Sequence, residues 1–363
     1  MSELEINLLL PIIFGSAICF MITVILIPLI INLSTKFNIL DNPNKRKQHD
    51  KPLSRLGGIP IIVSFILSIA FISLYSNLLN IRIIDLNVLM PIAIASSASF
   101  TLGAIDDIYD ISASVRLVFQ IFISMYLINS GVKVESLDMS WVDPSYYNIV
   151  LPNHLSIIIS VILLVGTCNA LNWIDGLDGL ASGLTLISSC SILLGNLTSN
   201  SYTILFIAIT LIGILLGFLK YNFYPASIHM GDGGSYFLGS IMGCLLIIAN
   251  SNNLDQSITV TSTHIILLTF FVPYIDMFYV LFSRLINKSS LIEPDRSHLH
   301  HKLMDIGLSH KSTVLIICFY SIITSSISLI FKVKLIHLLS FFGMTIIFYY
   351  LINKIIHEKS LTL

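Results

Sequence analysis

Charge is what this chain has least of. Aspartate, glutamate, lysine and arginine make up 11% of its 363 residues, while 55% are apolar. That balance excludes an ordinary soluble domain, in which about a quarter of the residues are charged. Long hydrophilic stretches are missing too. The longest, 34–56, 133–154 and 284–312, are too short for a separate soluble domain. The five cysteines (Cys19, Cys168, Cys190, Cys244, Cys318) all fall inside apolar runs without C-x-x-C spacing. Neither a disulfide framework nor a thiolate metal centre is suggested, and the thiols are expected to pack as small apolar groups. There is no self-similar period, no low-complexity tract and no inverted pair of broken helices of the kind transporters show.

What is there is apolar sequence in span-length pieces. Runs at 8–33, 57–76, 88–105, 117–132, 155–174, 180–197, 202–219, 235–250, 263–283, 313–331 and 336–353 approach the roughly 17–25 residues that a bilayer-crossing helix needs. The expected fold is therefore all-α: a polytopic integral membrane protein of about eleven transmembrane helices, forming one membrane-embedded domain over 1–363. The first run is expected as a helix rather than a cleaved leader, because Glu3 and Glu5 precede it where a leader would carry basic residues.

The few charges are distributed unevenly. With the N-terminus outside, the outer loops hold only Arg82, Lys133, Lys332 and Lys334 of the 19 basic residues. The positive-inside rule then sets that orientation and puts the C-terminus in the cytoplasm. Five inner segments are dense in polar side chains: "DNPNKRKQHDKPLSRLGG" (41–58), "GAIDDIYD" (103–110), "NALNWIDGLDGLASG" (169–183), "HMGDGGS" (229–235) and "EPDRSHLHHKL" (293–303). Lysine and arginine alone set the topology, yet it gathers all five on one face. An active site at the cytoplasmic membrane surface is expected there.

Each segment has a chemical and a bland reading. Asp106, Asp107 and Asp110 crowd one side of a helix end, which recruits a cation or raises a pKa; a solvated helix end marking the membrane boundary fits equally. Asn169, Asn172, Asp175 and Asp178 recur every three residues, and Gly176 and Gly179 can turn them towards a polar ligand or a hard cation. A loop capped for structural reasons is the alternative, weakened by the cost of four such groups beside lipid. Gly231, Gly233 and Gly234 let backbone amides approach a phosphate at a helix N-terminus, with Asp232 holding a metal between protein and phosphate. A simple N-cap explains the same residues. His298, His300 and His301 invite a zinc reading, but no cysteine joins them and Arg296 suits an oxyanion better. Lys47, His49 and Arg55 extend the positive surface. His154, His264, His310, His337 and His357 stand alone and are expected to be structural or incidental.

This inventory suits metal-assisted phosphoryl transfer between a soluble donor and a membrane-embedded acceptor. A transporter for a phosphorylated sugar or lipid would instead place polar residues midway along several helices. A CDP-linked alcohol phosphatidyltransferase would need a D-G-x-x-A-R signature, which is absent.

In order and spacing, "DNPNKRKQH" with "RLGGIP", "GAIDDIYD", "NALNWIDGLDGLASG", "MGDGGS" and "PDRSHLHHKL" resemble the polyprenyl-phosphate N-acetylhexosamine-1-phosphate transferases over nearly the whole chain. The H-x-H-H form is similar to the branch using N-acetylglucosamine 1-phosphate, and less so to the phospho-MurNAc-pentapeptide branch with three consecutive histidines. The resemblance implies a UDP-N-acetylhexosamine donor, an undecaprenyl phosphate acceptor, and undecaprenyl-diphosphate-sugar and UMP as products. It implies Mg²⁺, with Mn²⁺ as a substitute, and a multi-pass protein of the bacterial inner membrane; it allows a homodimer and gives nucleic acid no part. By motif position, Asn172 and Asp232 would be metal ligands, while Asp175 and Asp178, with Asn169, would help to hold the nucleotide. Arg296, His298, His300 and His301 would meet the diphosphate, Lys47 and His49 would lie near uridine and phosphates, and Asp106 or Asp107 would deprotonate or orient the lipid phosphate. His229 stands where relatives often place a phenylalanine that stacks on uracil. Asp276, an intramembrane carboxylate, is expected to be functional or to buttress the site.

Overall fold

The computed structural model describes residues 3–37, 39–40, 52–81, 83–137, 149–197, 201–251, 268–288, 297–330 and 335–362. Its helices are α1 (Glu3–Lys36), α2 (Gly58–Leu79), α3 (Leu86–Tyr109), α4 (Ala113–Asn129), α5 (Asn153–Ile174), α6 (Leu180–Gly195), α7 (Tyr202–Asn222), α8 (Gly231–Ser251), α9 (Phe271–Ile286), α10 (Leu299–Asp305), α11 (His310–Ile330) and α12 (Leu335–Thr362). Each apolar run read from the sequence overlaps one of these helices within the described residues, which leave out 263–267 and 331, and α10 is an additional short one. Among the described residues seven helices, α1, α2, α3, α5, α7, α8 and α11, are long and apolar enough to cross a membrane by length and composition. The protein is an all-α, polytopic membrane protein. The segment between α4 and α5 adds one feature that its linker-like composition did not announce, a short antiparallel pair joining Ser136 to Val150 and Leu137 to Ile149.

α8 lies at the centre. Within its apolar window 94% of the residues are buried, because α2, α3, α5, α6 and α7 all pack on it. Lipid tails are as apolar as leucine, so such helices associate through close packing and interhelical hydrogen bonds rather than through the hydrophobic effect. Both devices are visible. A Cβ at Gly239 of α8 would stand 2.7 Å from the Cα of Cys168 in α5, so glycine alone permits that crossing. Thr23 of α1 and Ser64 of α2 share a bond of 2.8 Å, the Ser16 hydroxyl donates to the Ile209 carbonyl of α7 at 2.8 Å, and Thr167 of α5 meets the Tyr274 hydroxyl of α9. Outward faces, such as Phe119 and Phe122 on α4 or Phe319 on α11, expose large apolar side chains, as lipid contact requires.

Replacing Gly239 by valine should force α8 away from the α5 backbone. Overpacking of this kind costs about 1–3 kcal/mol, and a lowered melting midpoint of the purified protein in detergent is the expected result.

Candidate active site

The described parts of the polar segments meet at one end of the helices because a set of glycines lets backbones touch there. A Cβ on Gly103 of α3 would lie 2.2 Å from the carbonyl oxygen of Asp232, so the C-terminal end of α3 runs directly against the start of α8. Gly231 has φ +72° and a virtual Cβ 2.2 Å from the Arg55 carbonyl, a conformation and a proximity that glycine alone tolerates. The chain before α2 is pinned to the same place: the His229 amide donates to the Ser54 carbonyl at 2.8 Å, and the Gly57 amide to the His229 carbonyl at 3.0 Å. These contacts explain why a membrane helix opens with Gly-Asp-Gly-Gly.

The result is a cavity of about 250 Å³ lined by Arg55, Asp107, Asp175, Gly176, Asp178, Asn222, His229, Gly231 and Asp232, among others. Four carboxylates share it, each held differently. Asp107 accepts from the Gly233 amide at 3.1 Å, and Asp232 accepts from the Asn172 side-chain amide at 2.9 Å. Asn172 also donates to the Ser235 hydroxyl at 3.0 Å, which leaves its amide oxygen as the remaining acceptor. Asp178 accepts from the Ala226 amide at 3.0 Å and stands 3.9 Å from the His229 imidazole. Asp175 follows the end of α5; burial first, and then the charges of Asp232, Asp107 and Asp178, push its carboxyl up to about 8.

Asp106 takes no place in the cavity lining. It is buried, accepts from the Ile111 amide at 2.8 Å, and is paired with Arg116 of α4. The same guanidinium stands 4.0 Å from Asp232 and so ties α4 to both acidic segments. Asp110, with φ 49°, donates its amide to the Asp106 carbonyl and ends α3, as the helix-end reading requires. Asn169 points elsewhere: its amide donates to Gln120 of α4 at 2.7 Å and to the Val165 carbonyl at 2.8 Å.

The histidine segment packs behind the 175–178 turn. His298 precedes α10, and His300 and His301 lie in its first turn, with ring centroids 5.5 Å apart for 298–300 and 4.3 Å for 300–301. A Cβ on Gly176 would lie 2.3 Å from the His300 Nε2, so this glycine admits the imidazole. His300 is buried, and among the described residues neither ring nitrogen has a hydrogen-bond partner. Burial, with His301 next, lowers its pKa to about 3, which keeps it neutral. Lys47, His49 and Arg296 lie outside the described residues.

Four contributors were not legible as site residues. Arg116 is one of the 15 basic residues outside the outer loops, and its position at the edge of an apolar run close after three aspartates was a usable signal. Gln120 and Asn222 gave none; Asn222 of α7 accepts from the Gly179 amide at 3.2 Å and from Ser182 at 2.8 Å, and donates to the Ile228 carbonyl at 2.9 Å. His310, expected to stand alone, does not. Its Nε2 accepts from the Asp178 amide at 2.9 Å and its ring stacks on Tyr224 at 4.4 Å, so it shapes the turn that carries Asp178.

Fold and site define a multi-pass membrane protein with an acidic, arginine-braced cavity at one end of its helices. The chain belongs to glycosyl transferase family 4, whose family description matches residues 89–250, the stretch from α3 to α8 that carries all the carboxylates of the cavity. It is 32% identical over 313 residues to a Bacillus subtilis protein named "Probable undecaprenyl-phosphate N-acetylglucosaminyl 1-phosphate transferase", covering 86% of this chain and 83% of that one. It is 30% identical over 302 residues to the "Decaprenyl-phosphate N-acetylglucosaminephosphotransferase" of Mycobacterium tuberculosis H37Rv, with 78% and 74% covered. To the "Undecaprenyl-phosphate alpha-N-acetylglucosaminyl 1-phosphate transferase" of Escherichia coli K12 it is 23% identical over 302 residues, with 82% and 78% covered.

Arg116→Ala should leave Asp106 as a buried carboxylate without its counter-ion. Arg116 keeps 28% of its side chain exposed, so the expected loss of stability is on the order of 2 kcal/mol, below that of a fully enclosed pair. Arg116→Lys should recover part of it, and thermal unfolding in detergent measures both.

Proposed function

We propose that the chain transfers a hexosamine 1-phosphate, N-acetylglucosamine 1-phosphate first, from a UDP-sugar to undecaprenyl phosphate. The observation that carries this reading is the convergence of Arg55, Asp107, Asp175, Asp178, His229 and Asp232 on one cavity at the end of an apolar bundle. A soluble nucleotide sugar can enter such a cavity while a lipid headgroup reaches it from the side. The relatives' names pair N-acetylglucosamine phosphate with a polyprenyl phosphate, and the uneven distribution of basic residues supports a cavity on the cytoplasmic face of the bacterial inner membrane.

Mg²⁺, or Mn²⁺ in its place, fits the residues present. Among the described residues no three carboxylate, imidazole or thiol groups form a ready metal cage, but Mg²⁺ seldom uses one. It binds through one or two carboxylates plus substrate phosphates and keeps several waters. Asp232 and the Asn172 amide oxygen would hold it, and the charges of Asp232, Asp107 and Asp178, which after burial raise the Asp175 carboxyl, form an anionic crowd that a cation relieves. When bound, the ion neutralises phosphate charge and orients an in-line displacement.

The protein's own groups do the rest. Asp107, which lines the cavity, orients the lipid phosphate or takes its proton, while Asp106 is held by Arg116 and keeps the end of α3 in place. An oxygen of the lipid phosphate bonds to the sugar-bearing phosphorus, and the bond from that phosphorus to the bridging oxygen breaks, with UMP leaving on the electron pair. Asp175 and Asp178 hold the nucleotide beside His229, whose imidazole stacks on the base, and Arg55 and the histidine segment meet the diphosphate.

Membranes containing the protein should release UMP from a UDP-N-acetylhexosamine only when undecaprenyl phosphate and Mg²⁺ are both present; UMP without lipid would contradict the reaction. A donor panel (GlcNAc, GalNAc, FucNAc, QuiNAc and MurNAc-pentapeptide), scored by mass of the lipid product, identifies the sugar. Asp232→Ala should abolish turnover in a protein that still inserts. His229→Phe should retain activity and tighten nucleotide binding, and complete loss would give the imidazole a chemical role.

A further inference from the structure

Asp276 of α9 is buried at 1% exposure and belongs to none of the five motif segments. A carboxylate there is costly unless its oxygens are satisfied. Three groups satisfy it: the Leu299 amide at 2.7 Å and the Tyr349 hydroxyl at 2.9 Å on one oxygen, and the His298 Nδ1 at 2.7 Å on the other. An ionised carboxylate only accepts. His298 must then carry a proton on Nδ1, which leaves Nε2, on the far side of the ring, to meet a ligand, accepting from a donor when the ring is neutral and donating to a phosphate oxygen only in the imidazolium form. The backbone amide of Leu299 fixes the start of α10 at the same point.

Tyr349 arrives from α12, a helix that supplies no motif residue. Its ring stacks on Tyr279 of α9 with centroids 3.9 Å apart, and the Lys302 ammonium of α10 stands 4.2 Å from the Tyr279 centroid. Three elements therefore close around one carboxylate, and the imidazole they grip is held from behind.

We propose that Asp276 and Tyr349 are positioning residues that set the tautomer and orientation of His298, making α12 a working part of the active site. The inference rests on the proposed function in assigning the histidine segment to the diphosphate. A side chain that orients a functional histidine in this way typically accounts for about 10–100-fold in activity.

The test is a double-mutant cycle on the full-length protein in detergent. Asp276→Asn presents one acceptor and one donor where three donors converge, and Tyr349→Phe removes a single hydroxyl. Asp276→Asn should lower kcat/KM about 10–100-fold and Tyr349→Phe by less. In a His298→Ala background neither should lower it further, because both act through that ring. Losses that multiply in that background, or a folded Asp276→Asn variant within twofold of wild type, would overturn the inference. If Asp276→Asn does not fold, the Tyr349→Phe cycle decides alone. Nitrogen NMR of ¹⁵N-histidine-labelled protein, with the His298 signal assigned by its loss in His298→Ala, reads the tautomer without turnover. An Nδ1–H tautomer in wild type that changes in Tyr349→Phe or Asp276→Asn supports the inference, and an unchanged one sinks it. A wild-type protein with that tautomer but no transfer would instead count against the proposed function.

Discussion

Crowded carboxylates at the edge of an apolar bundle are the constraint on which the structure depends. Asp106, Asp107, Asp175, Asp178 and Asp232 repel one another, and none can be set there without a dedicated partner. Arg116 takes Asp106 and reaches towards Asp232, backbone amides of the α8 entrance and the 226 turn take Asp107 and Asp178, and Asn172 takes Asp232. Burial, and after it the charges of Asp232, Asp107 and Asp178, move the Asp175 carboxyl up to about 8. A surface so arranged lowers its energy by receiving cations and the phosphates they bind, which is why the electrostatics and the proposed reaction agree.

The glycines serve that constraint. Side chains reach across a gap, but a carboxylate satisfied by a neighbouring helix's backbone requires the helices to touch. Gly103 against the Asp232 carbonyl and Gly231 against the Arg55 carbonyl provide this contact, and Gly176 does the same for the His300 ring. The polar site and the close packing of α8 are thus one feature, because the same missing Cβ atoms permit both.

Much of this was legible beforehand. Apolar runs of span length identify helices because the bilayer imposes their length, and the described part of each run lies largely on a helix. Asp175 and Asp178 were readable because polar residues beside lipid are costly, Asp107 and Asp232 because they sit in polar clusters at helix ends, and His229 only through the family resemblance. Asn169, in the same motif as Asn172, bonds instead to Gln120; three-residue spacing carries successive side chains round a helix, so one motif can serve two faces. Arg116, Asn222 and His310 were hidden because each is an ordinary side chain whose meaning lies in a partner far along the chain, such as the Asp178 amide 132 positions before His310.

By itself the sequence determined the medium, the helical class and the chemistry that its polar side chains can perform, since these follow from composition, run length and residue type. Only the tertiary structure decided which carboxylate faces the cavity and which is neutralised behind it, which histidine is enclosed, and that Tyr349 of the last helix reaches Asp276. Hydrogen bonds and ion pairs between distant residues depend on distances of a few tenths of an ångström, and such distances exist only once the helices have packed.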